Sequence, residues 1–189
     1  MPTTLVLVKH AQPVPDPSKP AKEWLLGAKG ESQSKRLARR LEAFTPLRLI
    51  ASPEPKASAT ARLVAAELGV PVSQVEGLHE FDRPLLPLVS KAEHERQNAP
   101  IFLYLDRSVL GKESGRVARD RFSAALAAEL ERTAERSLVV IAHGTVISLF
   151  VAAYNQIDAF GLWKELECSS FVVLDVPSLV LREVVAGAP

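Results

Sequence analysis

Short, uninterrupted apolar runs alternate along this chain with longer stretches of helical period. Leu5 to Val8 is the first run, and its β-branched content predicts a strand buried on both faces. Leu47 to Ala51 predicts a second strand, Val70 to Val75 a weaker third, and Leu138 to Ala142 the strongest. From Gly30 onward Gln33, Ser34, Leu37, Leu41 and Phe44 share one helical face, with Arg36, Arg39 and Arg40 off it. Pro46 closes that helix. Ser52 is placed to cap the next helix, with Pro53 at its first position, and Gly69 stops it. Further helices are predicted over Ser114 to Arg132 and Val146 to Tyr154. The end, Ser170 to Val176 and Val180 to Val185, predicts two paired strands around Pro177-Ser178. Strands alternating with helices predict an α/β three-layer sandwich, a mostly parallel central sheet with helices on both faces.

The 189 residues fit one domain, spanning 1–189, with a single sizeable core. Ala11 to Pro20 holds four prolines and predicts a loop. The stretch from Glu76 to Gly115 is an excursion over the sheet. It carries Pro84, Pro87 and Pro100, a polar helical piece near Lys91 to Gln97, and a more apolar one near Ile101 to Leu105.

Charge narrows the partners. Lys plus Arg is 23 and Asp plus Glu 22, so the net charge of +1 gives no reason to expect nucleic acid or an anionic membrane. No segment approaches the roughly 20 apolar residues that span a bilayer. Leu5 to Val8 is too short for a signal sequence core, which makes a cytoplasmic location the default expectation. The single cysteine, Cys168, excludes an intrachain disulfide and reads as a small buried hydrophobe. The oligomeric state is left open, a homodimer included.

Two of the four histidines occupy equivalent places. His10 stands just beyond Leu5 to Val8, and His143 directly follows Leu138 to Ala142. Ligands of open α/β sheets bind beyond the carboxyl ends of the strands, so the two imidazoles are expected to converge. Each is followed by a small residue, Ala11 or Gly144, which lets the backbone approach a ligand. Lys9 adjoins His10, and Lys56 falls in the first turn of the helix after the second strand. A helix N-terminus, two lysines and two imidazoles would together compensate a phosphate.

These residues, in this order, resemble the histidine phosphatase superfamily, with its phosphoglycerate-mutase-like fold. The family's opening Arg-His-Gly is matched by Lys9-His10-Ala11, followed by Gln12. Its Leu-Thr-x-x-Gly-x-x-Gln is matched by Leu26, Gly30 and Gln33, with Gly27 where Thr is usual. Its Ser-Ser-Pro-x-x-Arg-Ala-x-x-Thr-Ala is matched by Ser52, Pro53, Ala57, Thr60 and Ala61, with Ala51 and Lys56 as departures. Leu78-His79-Glu80 meets the acidic motif, Glu113-Ser114 with Arg121 a later one, and His143-Gly144 the second His-Gly.

The resemblance implies that His10 is a nucleophile forming a phosphohistidine. Lys9, Lys56, His143 and Gln12 would hold the phosphate, and Glu80 would serve as general acid, with Asp82 as its rival. Both family arginines are lysine here, which keeps the charge but loses the planar two-pronged grip. No His/Cys/Asp cluster has metal-ligand spacing, so neither metal nor cofactor is expected. The expected activity is a metal-independent phosphomonoester phosphatase acting on a small phosphorylated metabolite. The alternatives are a mutase-type phosphotransferase and a phospho-ligand binding module. The sequence assigns His79 no role, reads His94 as solvated, and leaves Arg83 between a substrate contact and a surface ion pair. Trp24 is expected near the pocket rim.

Overall fold

The computed structural model describes residues 1–187. Its twelve main elements run β1 (Thr4–Lys9), α1 (Ala28–Leu41), β2 (Leu47–Ala51), α2 (Pro55–Leu68), β3 (Val72–Gln74), α3 (Lys91–Leu103), α4 (Gly115–Arg132), β4 (Ser137–Ala142), α5 (Gly144–Tyr154), α6 (Ala159–Glu165), β5 (Phe171–Asp175) and β6 (Leu181–Val185). The sheet order is β3-β2-β4-β1-β5-β6. The first four of these strands are parallel, and β5 and β6 add on in antiparallel sense.

Strand periodicity explains the continuous apolar runs. Leu5 and Leu7 of β1, with Leu138 and Val140 of β4, face a core built with Phe122 and Leu126 of α4 and Phe150 of α5. Val6, Val8, Val139 and Ile141 face the opposite core, packed by Leu37 and Leu41 of α1 and Val64 of α2. The apolar side chains of the two central strands therefore meet a helix layer on each face. The expected α/β three-layer architecture is the one observed.

Several boundaries differ from expectation. Helix α1 starts at Ala28 rather than Gly30 and ends at Leu41, before Pro46 is reached. Helix α2 starts two residues late: Glu54 is its N-cap and Pro55, not Pro53, takes the first turn. Ser52 still accepts the Glu54 N–H at 3.2 Å, so it supports the start without being the cap. The two helical pieces expected in the excursion are one helix, α3, with Pro100 inside it. Ser90 caps it by accepting the Glu93 N–H at 3.3 Å, and Asn98 and Ile101 anchor it by complete burial. Helix α6 was not anticipated; Asp158 caps it by accepting the Phe160 N–H at 3.0 Å. Among the described residues no helix is long and apolar enough to cross a membrane.

Candidate active site

The two histidines meet because their strands are neighbours. Strands β1 and β4 pair in parallel, with Lys9 opposite Ala142, so the next residue in each is a histidine. The His10 N–H donates to the Ala142 carbonyl at 3.0 Å, extending the ladder to the site itself. The ring centroids lie 5.2 Å apart, edge to face. Both rings line one wall of a cavity of about 650 Å³ beyond the carboxyl ends of the strands.

His10 is buried, and its Nδ1 lies 2.8 Å from the Ala11 carbonyl oxygen. A carbonyl can only accept, so Nδ1 carries the hydrogen and Nε2 holds the free lone pair. The turn that allows this contact is fixed from α2: Thr60 Oγ1 accepts the Ala11 N–H at 3.1 Å and donates to the Lys56 carbonyl at 2.8 Å. Burial, then His143 and Lys56, hold the His10 pKa well below the ordinary imidazole value. Burial and Lys56 do the same to His143. Both rings are therefore neutral at pH 7, and positive charge in the cavity comes from lysine and arginine.

His143 Nε2 is 2.8 Å from Ser52 Oγ. That hydroxyl also accepts the Glu54 N–H at 3.2 Å. Nδ1 is buried without a partner among the described residues.

Both sequence-selected lysines reach the cavity, and both are already engaged. Lys9 Nζ donates to the Leu166 carbonyl at 2.7 Å, and burial lowers its pKa. Lys56 is buried; its Nζ donates to the Ala21 carbonyl at 2.8 Å and pairs with the Glu54 carboxylate. Glu54 was missed in the sequence. Its Oε1 also accepts the Glu80 N–H at 2.8 Å and lies 3.7 Å from His143 Nε2. A buried carboxylate therefore sits against Lys56. Gln12 lines the cavity through a loop fixed by Gln33, whose Oε1 accepts the Gln12 N–H at 2.9 Å.

Glu80 rests on the first turn of α5. Its carboxylate accepts the Thr145 N–H at 3.1 Å, the Val146 N–H at 3.3 Å and the Phe81 N–H at 2.8 Å. Burial works to raise its pKa, but Arg83, His143 and these N–H donors outweigh burial and lower it. The resting side chain is a carboxylate. Asp82, its rival, is at the rim beside Lys22, 3.5 Å away.

Arg83 lines the cavity rather than forming a surface ion pair. Its guanidinium donates to Asn98 Oδ1 at 2.7 Å and to Thr145 Oγ1 at 3.2 Å. Arg121 is saturated by Glu113 and the carbonyls of Gly77, His79 and Glu80. His79 and Trp24 line the wall, the Trp24 indole donating to the Asp16 carbonyl at 3.1 Å. His94 is exposed at the mouth, its ring centroid 5.4 Å from that of Trp163. Trp163 comes from the unanticipated α6. Cys168 is not fully buried as expected but lines the cavity, and burial raises its pKa, which keeps it a thiol.

An open α/β sheet with two histidines at the ends of adjacent central strands defines a class. The family profile of the histidine phosphatase superfamily (branch 1) matches residues 5–176, and the chain belongs to that superfamily. A search of curated proteins found no match. Solved structures share the fold. A mycobacterial glucosyl-3-phosphoglycerate phosphatase in complex with VO3 is 22% identical, with 99% of this chain and 100% of that chain covered at a TM-score of 0.73. YhfR of Bacillus stearothermophilus is 22% identical over 99% and 98% of the two chains, TM-score 0.74. A protein described as mycobacterial hydrolase 1 is 21% identical over 98% and 99%, TM-score 0.76.

Proposed function

We propose that this protein is a metal-independent phosphomonoester phosphatase working through a phosphohistidine on His10. The observation that carries the reading is the fixed tautomer of His10. Its Nδ1–H is spent on the Ala11 carbonyl, so the free Nε2 lone pair belongs to a neutral ring lining the cavity.

The chemistry follows in two steps. Nε2 attacks phosphorus, the bond to the ester oxygen breaks, and Glu80 delivers a proton to the departing oxygen. Water then attacks phosphorus, Glu80 takes its proton, and the P–N bond breaks to release inorganic phosphate. Glu80 is preferred to Asp82 because its carboxylate lies on the α5 turn beside His143, whereas Asp82 sits at the rim with Lys22. The resting carboxylate suits the second step directly. For the first, a bound phosphate dianion adds negative charge beside Glu80 and raises its pKa toward protonation. His143, with Lys9 and Lys56, would stabilise the equatorial oxygens.

A generic aryl phosphate without added metal provides the test, with wild type beside His10→Ala. The wild type is expected to turn over and to trap an acid-labile, alkali-stable phosphoenzyme that the variant does not form. Equal rates for the two proteins would sink the nucleophile assignment. Phosphate transfer to a hydroxyl acceptor without net hydrolysis would instead mark a mutase.

A second reading, a phospho-ligand binding module, is favoured by one observation. Both lysines already hold protein acceptors, Leu166 for Lys9 and Glu54 with Ala21 for Lys56. Phosphate binding without turnover in wild type and variant alike would favour it.

The pH dependence follows from the lowered histidine pKa values. His10 stays unprotonated below pH 6.5, so the acid limb of kcat/KM is expected below that value. Stability moves in the same window. Below about pH 6.5 the unfolded chain takes up protons that folded His10 and His143 refuse, so stability falls with pH by up to about 1.4 kcal/mol per unit for each ring. Thermal melts between pH 7 and 5 measure this. A Tm unchanged across that range would contradict the burial of neutral rings.

A further inference from the structure

We propose that the alcohol half of the substrate carries a second anionic group, held by Arg83 and Lys112 in a recess adjoining the His10 cavity. This deepens the phosphatase reading and rests on it. The recess, of about 670 Å³, shares Lys22, Asp82, Arg83 and Lys112 with the His10 cavity, so the two are continuous. Three of those four shared side chains are cationic, in a protein whose net charge is only +1. Asp82 answers one of them, Lys22, at 3.5 Å. Arg83 and Lys112 have no carboxylate at ion-pair distance among the described residues.

Arg83 is held ready to bind. Its two hydrogen bonds go to neutral oxygens, and the carboxylate its charge acts on is Glu80, which it does not pair with at ion-pair distance. One of them, Asn98, is fully buried, and its amide is oriented by donating to the His94 carbonyl at 2.7 Å. The other, Thr145, belongs to the α5 turn that also holds Glu80. Of five guanidinium N–H donors, three remain for a ligand. Arg83 stands on the Glu80 side of the cavity, beside the proposed proton donor to the leaving oxygen.

The recess wall is also built rather than loose. The Lys112 N–H donates to the Asp82 carbonyl at 3.3 Å, and the Asp82 N–H to Glu113 Oε1 at 2.8 Å. Gly111 lies so close that a Cβ there would stand 1.9 Å from the Asp82 carbonyl oxygen. This clamp sets Lys112 beside Asp82 and Arg83. The rest of the lining is largely apolar, with Pro84, Leu85, Val109 and Leu110. An apolar body ending in a carboxylate or phosphate matches that combination.

Three esters test the proposal: phenyl phosphate, 4-carboxyphenyl phosphate and 4-(aminomethyl)phenyl phosphate. The wild type is expected to favour the carboxylate over the ammonium ester by about tenfold or more in kcat/KM. A 4-phosphonophenyl ester distinguishes a site for phosphate from one for carboxylate. Arg83→Gln and Lys112→Gln are each expected to shrink the preference, and Arg83→Lys to keep part of it. Equal kcat/KM for the two charged esters, or a preference undiminished in Arg83→Gln, would overturn the proposal. The phosphatase reading fails separately. If none of the esters is hydrolysed, calorimetric affinities for the intact esters make the same comparison. If His10→Ala hydrolyses all of them at the wild-type rate, the nucleophile is misassigned while the charge preference still stands or falls alone.

Discussion

Replacing His10 by alanine is expected to lower kcat/KM for an aryl phosphate by about a thousandfold or more. The size of the effect follows from what the ring supplies. Nε2 is the only atom of the residue left free to bond phosphorus, since Nδ1 is tied to Ala11. His143 does not replace it, because its Nε2 is engaged by Ser52. The folding cost should be modest. The variant loses one buried hydrogen bond and a small volume, roughly 1–3 kcal/mol. Steady-state rates at pH 7, with circular dichroism to confirm the fold, measure both halves. Substantial residual turnover in a folded variant would move the nucleophile elsewhere.

Lys56→Met carries the largest expected stability effect. Lys56 and Glu54 are both buried and paired with each other, so removing the ammonium strands a carboxylate. Breaking one side of such a pair costs about 3–5 kcal/mol. Phosphate affinity is expected to fall in the same variant, since the cavity loses a cation close to both histidines. The double variant Lys56→Met with Glu54→Gln separates these effects. It should recover much of the stability, because no charge is stranded, and none of the phosphate affinity. Glu54→Gln alone should do the reverse: lose stability but bind inorganic phosphate more tightly, as a negative charge leaves the cavity wall. Denaturant titration and phosphate calorimetry on the three proteins give the readouts. If Glu54→Gln weakens phosphate binding, Glu54 assists the ligand instead of opposing it.

What the sequence revealed, and what it hid, follows from the range of the interactions. Strands β1 and β4 were legible because both faces are covered, which forces an unbroken apolar run. The position of each histidine followed from those runs. Helix α3 was harder, since Pro100 interrupts its pattern, although Asn98 and Ile101 hold it down. Helix α6 has seven residues and leaves little periodic signal beyond its Asp158 cap. Glu54 was invisible for another reason. A glutamate at a helix start reads as a solvated favourable charge, and only the fold shows it buried against Lys56. Likewise nothing near Lys9 in sequence announces its partner, the carbonyl of Leu166.

The pairing of β1 with β4 has one more consequence. Proteins open locally from their margins, and segments at the centre of a sheet are the last to lose protection. Strands β3 and β6 lie at the two margins, and β1 and β4 lie between their neighbours. Fraying at either margin would leave the spacing of His10 and His143 untouched. The distance between the two rings is thus tied to the global stability of the sheet. The stretch from Pro84 to Ser90 carries no regular structure and no buried residue, so it can open to solvent on its own, whereas Leu78 and Phe81 are held in the core and Glu80 on α5. That stretch of wall can therefore drift in sequence while the spacing of the two rings stays fixed.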